Sequence, residues 1–214
     1  MSGGGAAEIA GLVLAGGGST RLGGGDKTLL SLDGEPMMSV IIARLTPQVE
    51  NIAISANGDP ERFARYGVPV LADDPAGSAG PLSGVLSGMR WAASCTGCSR
   101  ILTVAGDTPF FPDDLATRLR EAVQGFPEQV AVAASGGRKH PVFALWPVGL
   151  AEKLARFLAD GTTYKVNAFL ETLDAATVEF PPIPTTDGAV DPFFNVNTPD
   201  DLAQAQAIYR RLQP

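Results

Sequence analysis

Residues 12–28 read LVLAGGGSTRLGGGDKT, an apolar run that breaks into two glycine triplets separated by STRL and closed by an Asp-Lys pair. Neither standard phosphate-loop pattern fits. The P-loop needs glycine immediately before its lysine, and Asp26 stands before Lys27; the dinucleotide fingerprint needs a third glycine where Arg21 lies. The chemistry of a phosphate cradle is nevertheless present. Glycines let backbone N–H groups approach phosphate oxygens, while Arg21 offers a planar fork and Lys27 a point charge. Residues 14–18 are expected to wrap the phosphates and Lys27 to reach in from a second arm, with Asp26 turned away to cap the turn or to aim Arg21.

Outward from this loop, apolar runs rich in β-branched residues alternate with helix-period segments, the pattern of an α/β sheet covered by helices on both faces. Strands are read near 9–15, 51–56, 68–72, 100–106, 129–134, 141–146, 176–180 and 193–196, and helices over 37–47, 59–66, 80–94, 112–125, 148–159, 163–173 and 198–212. Pro112-Asp113-Asp114 reads as one helix start, and Thr198-Pro199-Asp200-Asp201 as an N-cap with Pro at N1 and acids in the first turn. Residues 181–192, PPIPTTDGAVDP, read as a surface loop able to cover a ligand. Residues 1–7 are expected to be a disordered leader and 8–214 one domain, a length that buries a substantial core.

The formal net charge of −7 and the lack of a Lys/Arg run argue against nucleic acid, so an anionic ligand needs a local cluster of cations. No apolar stretch reaches a membrane span and MSGGGAAEIAG lacks signal-peptide features, which points to a cytoplasmic protein. Cys95 and Cys98 form a lone C-x-x-C between a helix and a strand, read as an incidental turn because the single histidine, His140, cannot complete a zinc site.

Ligands of open α/β sheets sit outside the carboxyl ends of the strands. Besides the glycine loop, three such places carry chemistry. Asp107 in AGDTP ends a hydrophobic strand and suits a divalent cation, since Mg²⁺ is typically held by one or two carboxylates plus phosphates. Asp73-Asp74 precede GPLSG (80–84); an acid there can accept from a base or ribose, and the same residues also fit a turn and a capped helix. Asn195 and Asn197 can coordinate a cation or cap the last helix.

Taken in order, LAGGGSTRLGGGDKTLLSLDGEPM, GPLSG, GDTPFF, HPVFALW and NVNTPDDL resemble bacterial molybdenum cofactor guanylyltransferases over residues 12 to about 203. The resemblance implies a Rossmann-like nucleotide-diphospho-sugar transferase fold and transfer of GMP from GTP·Mg²⁺, with Mn²⁺ as a possible substitute, to molybdenum-bearing molybdopterin. It places Leu14, Ala15, Gly16, Gly17, Lys27, Asn57, Asp73 and Asp107 on GTP, Asp107 also on the metal, and Gly80, Gly84, Asn195 and Asn197 at the second substrate. Arg21, Lys27 and Asp107 would carry the chemistry. Recipient molybdoenzymes or their chaperones are the further partners it implies. Gly106 stands where the family often has cysteine, and is read as a neutral change. Residues 162–167, TTYKVN, cover a stretch often richer in arginine.

Competing readings are a cytidylyltransferase on the same pterin, whose relatives tend to read LAAG rather than LAGG, and a sugar-phosphate nucleotidyltransferase, whose chains usually run longer. A non-catalytic carrier of the finished cofactor is the alternative outside enzymes.

Overall fold

In the computed structural model, residues 8–16, 27–73, 80–94, 97–186 and 188–212 are described. In chain order, the strands are β1 (Glu8–Leu14), β2 (Ser31–Leu32), β3 (Glu35–Pro36), β4 (Asn51–Ser55), β5 (Val70–Leu71), β6 (Cys98–Ala105), β7 (Val130–Ser135), β8 (Arg138–Pro147), β9 (Ala175–Glu179), β10 (Ile183–Thr185) and β11 (Gly188–Val190). The helices are α1 (Met37–Leu45), α2 (Pro81–Ser94), α3 (Leu115–Ala122), α4 (Ala151–Ala159), α5 (Val166–Leu170) and α6 (Pro199–Leu212).

The central sheet has the order β5–β4–β1–β6–β8–β7–β9. Its pairings are parallel except those of β8, which runs against both β6 and β7. Because both faces are covered, the central stretches of its strands, such as Val130–Ala134 and, Thr103 apart, Ile101–Val104, are runs of buried apolar residues rather than an alternation with polar ones. Along β1, Ile9 and Val13 join one core with α1, α3 and α6, while Ala10 and Leu12 join the other with α2, α4 and α5. Leu12 and Val13 are both fully buried, so the run that opens residues 12–28 is the core of a central strand.

Three local expectations are corrected. Residues 193–196 form no strand; Phe193 and Val196 anchor a loop instead, with Phe193 packed on Phe143 and Phe180 at 4.8 and 5.7 Å between ring centres. Residues 181–192 contain the small antiparallel pair β10–β11. The acids before α3 do not cap it: Asp113 pairs with Arg44 at 2.9 Å, and Gln48 Oε1 accepts the Ala116 N–H. A side chain from the 3-10 turn Thr46–Gln48 that follows α1 thus does what sequence-local acids were expected to do.

Candidate functional site

Strand β1 lies where the sheet order reverses. From it the chain passes to β4 and β5 on one side and then returns to β6 on the other, which opens a crevice at the carboxyl ends of β1 and β6. Leu14 is in register with Ser55 and with Ala105. One residue further, the Ala15 N–H donates to Ser55 O and the Gly106 N–H to Leu14 O, both at 2.9 Å. Leu14 and Ala15 therefore meet the start of the Asp107 turn, with Gly16 exposed just beyond. Cys98 opens β6 at the opposite end of that strand and is buried there, which keeps it away from this edge; Cys95 lies outside the described residues.

Gly106 is held by a close approach. A Cβ there would lie 2.8 Å from the Thr28 methyl and 3.1 Å from Leu14 O, and Thr28 is itself buried. Substitution by cysteine is therefore not neutral in this chain, because Thr28 fills the space a larger residue needs. The same packing sets the short 3-10 turn Lys27–Leu29 against the end of β6, one residue before Asp107. Arg21, Gly17 and Asp26 lie outside the described residues, as does the Lys27 side chain.

Asp107 is half-buried, and its carbonyl accepts the Val196 N–H at 2.9 Å. That bond brings the flanking Asn195 and Asn197 to the Asp107 turn. The last helix is capped by a reciprocal pair: Thr198 Oγ1 accepts the Asp201 N–H, and Asp201 Oδ2 accepts the Thr198 and Asn197 N–H groups. Thr198 and Asp201 thus supply the reciprocal cap.

On the β4 side, Asn57 and Asp73 exchange two hydrogen bonds. The Asn57 amide donates to Asp73 Oδ2 at 2.7 Å, and the Asp73 N–H donates to Asn57 Oδ1 at 3.0 Å. Arg62 donates to the carbonyls of Asn57 and Asp59 and lies over the Phe63 ring, bracing the loop without entering sequence reasoning. Asp74 lies outside the described residues.

Gly84 is buried in α2 where an added Cβ would overlap Ser55 Oγ and press on Leu14, so it is needed for close helix–sheet packing behind the site. Gly80 precedes α2 and would bring a Cβ to 3.3 Å of the Tyr164 carbonyl, which places residues 162–167 beside it.

On the other side of β6 the reversed strand changes the chemistry. Gly136 and Gly137 both have positive φ and join β7 to β8 in a two-residue hairpin, with Ser135 opposite Arg138. The start of β8 therefore falls on the same edge as the carboxyl ends of its neighbours. Arg138 and Lys139 are exposed there and His140 half-buried. The pairing then jumps from Ala133–His140 to Val132–Ala144, so Pro141, Val142 and Phe143 bulge out of the β7 ladder. Proline has no N–H to give that ladder, and a bulge re-aims the residues beside it.

These residues, with Ala105, Thr108, Asn195 and Asn197, line a cleft of about 400 Å³. The Ser135 hydroxyl donates to Asp191 Oδ1 at 2.8 Å and lies 2.8 Å from His140 Nε2, while the His140 ring stacks on Phe193 at 4.4 Å. Burial holds the His140 pKa below its ordinary 6.5, and Arg138 adds to that; Asp191 and Glu179 oppose it. Sequence reasoning missed Arg138, Lys139, His140, Ser135 and Asp191. The signal was available in S-G-G-R (135–138), whose glycine pair marks a tight hairpin and hence an antiparallel strand.

A mostly parallel sheet whose switch point gathers the backbone of Leu14–Gly16, a strand-end aspartate and a cleft lined by Arg138 and Lys139 is the arrangement of an α/β nucleotide-binding protein. The chain belongs to the MobA-like NTP transferase domain family, whose model matches residues 11–176. It is 50% identical over 205 residues to a molybdenum cofactor guanylyltransferase of Mesorhizobium japonicum, covering 96% of this chain and 98% of that protein. The fold is shared with molybdopterin-guanine dinucleotide biosynthesis protein A from Archaeoglobus fulgidus, with a TM-score of 0.73 at 21% identity over 95% of this chain and 100% of that one. It is shared also with Rv0371C of Mycobacterium tuberculosis in complex with manganese, with a TM-score of 0.64 at 17% identity over 94% and 98%.

Proposed function

We propose that this chain transfers GMP from GTP to molybdenum-bearing molybdopterin, forming the guanine dinucleotide cofactor and releasing pyrophosphate. The observation that carries this reading is the junction at Asp107. The nucleotide edge built on β1 and β4 and the cationic cleft built on β8 meet there, bound together by the Val196 N–H to Asp107 carbonyl bond.

Leu14, Ala15 and Gly16 would line the triphosphate with backbone, completed by Gly17, Arg21 and Lys27. The joined Asn57–Asp73 pair would accept hydrogen bonds from the guanosine, its geometry fixed before the nucleotide arrives. Asp107, with Asn195 and Asn197 beside it, would hold Mg²⁺ or Mn²⁺ together with substrate phosphates, and the cation would neutralise charge between them. The residues fit that role. Asp107 offers a half-buried carboxylate, and Asn195 and Asn197, in the loop that Val196 ties to it, offer amide oxygens, a donor set suited to such a cation.

The attacking group is the phosphate monoester oxygen of molybdopterin. It is already anionic near neutral pH, so no general base is required. It bonds to the α-phosphorus as the α–β bridging bond breaks, and the electron pair leaves on pyrophosphate. Arg21 and Lys27 would stabilise that leaving charge, while Arg138 and Lys139 would hold the incoming monoester in line.

Pyrophosphate release by purified protein, molybdopterin and Mg²⁺ is expected with GTP and not with CTP. A preference for CTP makes the chain a cytidylyltransferase, and cofactor binding without release makes it a carrier.

A further inference from the structure

In the cleft on β8, a carboxylate, a hydroxyl and an imidazole are connected in an order that differs from a hydrolytic triad. Serine sits in the middle. Asp191 Oδ1 accepts from the Ser135 hydroxyl at 2.8 Å and from the Phe193 N–H at 2.9 Å. A carboxylate can only accept, so the one Ser135 proton is committed to Asp191, and Ser135 Oγ must accept from His140 Nε2, 2.8 Å away. Ser135 therefore has no nucleophilic role in this arrangement. What the network fixes is the histidine: Nε2 carries the proton, the ring is clamped against Phe193, and Nδ1 of the neutral ring is left as an acceptor with no hydrogen-bond partner among the described residues.

We propose that His140 is a specificity-determining residue for the second substrate, its Nδ1 lone pair accepting an N–H from a planar heterocycle in the cleft while Ser135 and Asp191 act as positioning residues. This rests on the reading that molybdopterin binds there.

The cleft suits such a ligand at both ends. Phe194 and Phe143 line it with aromatic surface next to His140, and Arg138 and Lys139 stand at the exposed edge where a phosphate on the same molecule would lie. The N–H of a pterin ring supplies the donor that Nδ1 lacks. A ligand bearing only acceptors on that edge leaves Nδ1 facing a lone pair, and specificity of this kind is strongest where a site's own polar group would go unpaired. Protonation of Nδ1 replaces the acceptor by a donor and abolishes the match. The charged groups that bear on this proton are Asp191, Glu179 and Arg138, with Lys139 adjacent in the chain.

Three variants separate the roles. His140→Phe keeps a ring against Phe193 and removes both nitrogens; His140→Asn puts an amide oxygen close to the Nδ1 position; Ser135→Ala frees the tautomer. Molybdopterin binding is followed by pterin fluorescence without nucleotide, and the KM for molybdopterin and for GTP by pyrophosphate release. His140→Phe is expected to weaken molybdopterin binding roughly tenfold, the scale of one hydrogen bond, with the KM for GTP unchanged. His140→Asn is expected to recover much of that loss, and Ser135→Ala to show a smaller one. In the wild type molybdopterin binding weakens as acid protonates His140, and in His140→Asn the share of that dependence owed to the imidazole disappears, leaving only the titration of the ligand's own phosphate. Unchanged molybdopterin affinity in a folded His140→Phe, or equal losses for both substrates, overturns the proposal while leaving GMP transfer intact. Absence of GMP transfer by the wild type overturns the transferase reading and this inference with it.

Discussion

The two halves of the ligand edge solve the same problem with different materials. Around β1, β4 and β5 the strands are parallel, and what reaches the edge is the chain leaving each strand: backbone at Leu14–Gly16, and the Asn57–Asp73 pair locked by two hydrogen bonds. Around β8 the strand is reversed, and what reaches the edge is a strand's own beginning, with Arg138, Lys139 and His140 in succession. A parallel edge presents main chain and acids suited to a nucleotide and its cation. An antiparallel insertion places the exposed cations Arg138 and Lys139 at the same edge, on the opening residues of a strand. The net charge of −7 conceals this local reversal.

The first way to break the comparison is at the boundary between the halves. Asp107→Ala is expected to lower turnover by at least about 10²-fold in a folded protein, as is Lys27→Ala, on the scale of one preorganised electrostatic group. Steady-state kinetics with thermal melts check this, and near-normal turnover removes the residue from the mechanism. Next, Asp73→Ala is expected to raise the KM for GTP about tenfold and leave that for molybdopterin unchanged. Arg138→Ala should do the opposite by several-fold, with a loss that shrinks as salt rises because the cation is exposed. If both substitutions moved both constants equally, the two halves would not divide the substrates.

Smaller effects concern stability. Gly84→Ala is expected to cost roughly 1–3 kcal/mol by overpacking against Ser55 and Leu14, measured by denaturant unfolding. His140 gives a pH dependence whose sign follows from its lowered pKa. Just below its ordinary pKa of 6.5 the unfolded chain binds more protons than the folded one, so stability from this group falls as pH drops through 6.5 toward the folded value. The melting temperature of the wild type relative to His140→Phe should therefore fall on acidification.

The parallel half was legible in the sequence because its signals are local. A buried strand followed by glycines announces its own loop, and Asp107 sits abruptly at the end of an apolar run. The antiparallel half was hidden because direction along a sheet is a tertiary property. Searching only the loops that follow strands passes over residues at the start of one, although the Gly136-Gly137 hairpin turn carried the information. The segment 193–196 was misread for a related reason: Phe193 and Val196 are buried as strand residues are, but by aromatic packing and a single backbone bond to Asp107 rather than by a ladder. Gln48, which caps α3 from the turn after α1, left no mark near α3 in the sequence.

The central claim, that the two halves bring a monoester oxygen onto the α-phosphorus of GTP, is tested most directly by isotope position. Protein, molybdopterin and Mg²⁺ are incubated with GTP labelled at the α- or the γ-phosphate, and the pterin product is isolated. The account predicts label in the product only from the α position, with the γ label recovered as pyrophosphate. Transfer of the γ label, or an unlabelled pterin in both cases, would contradict it.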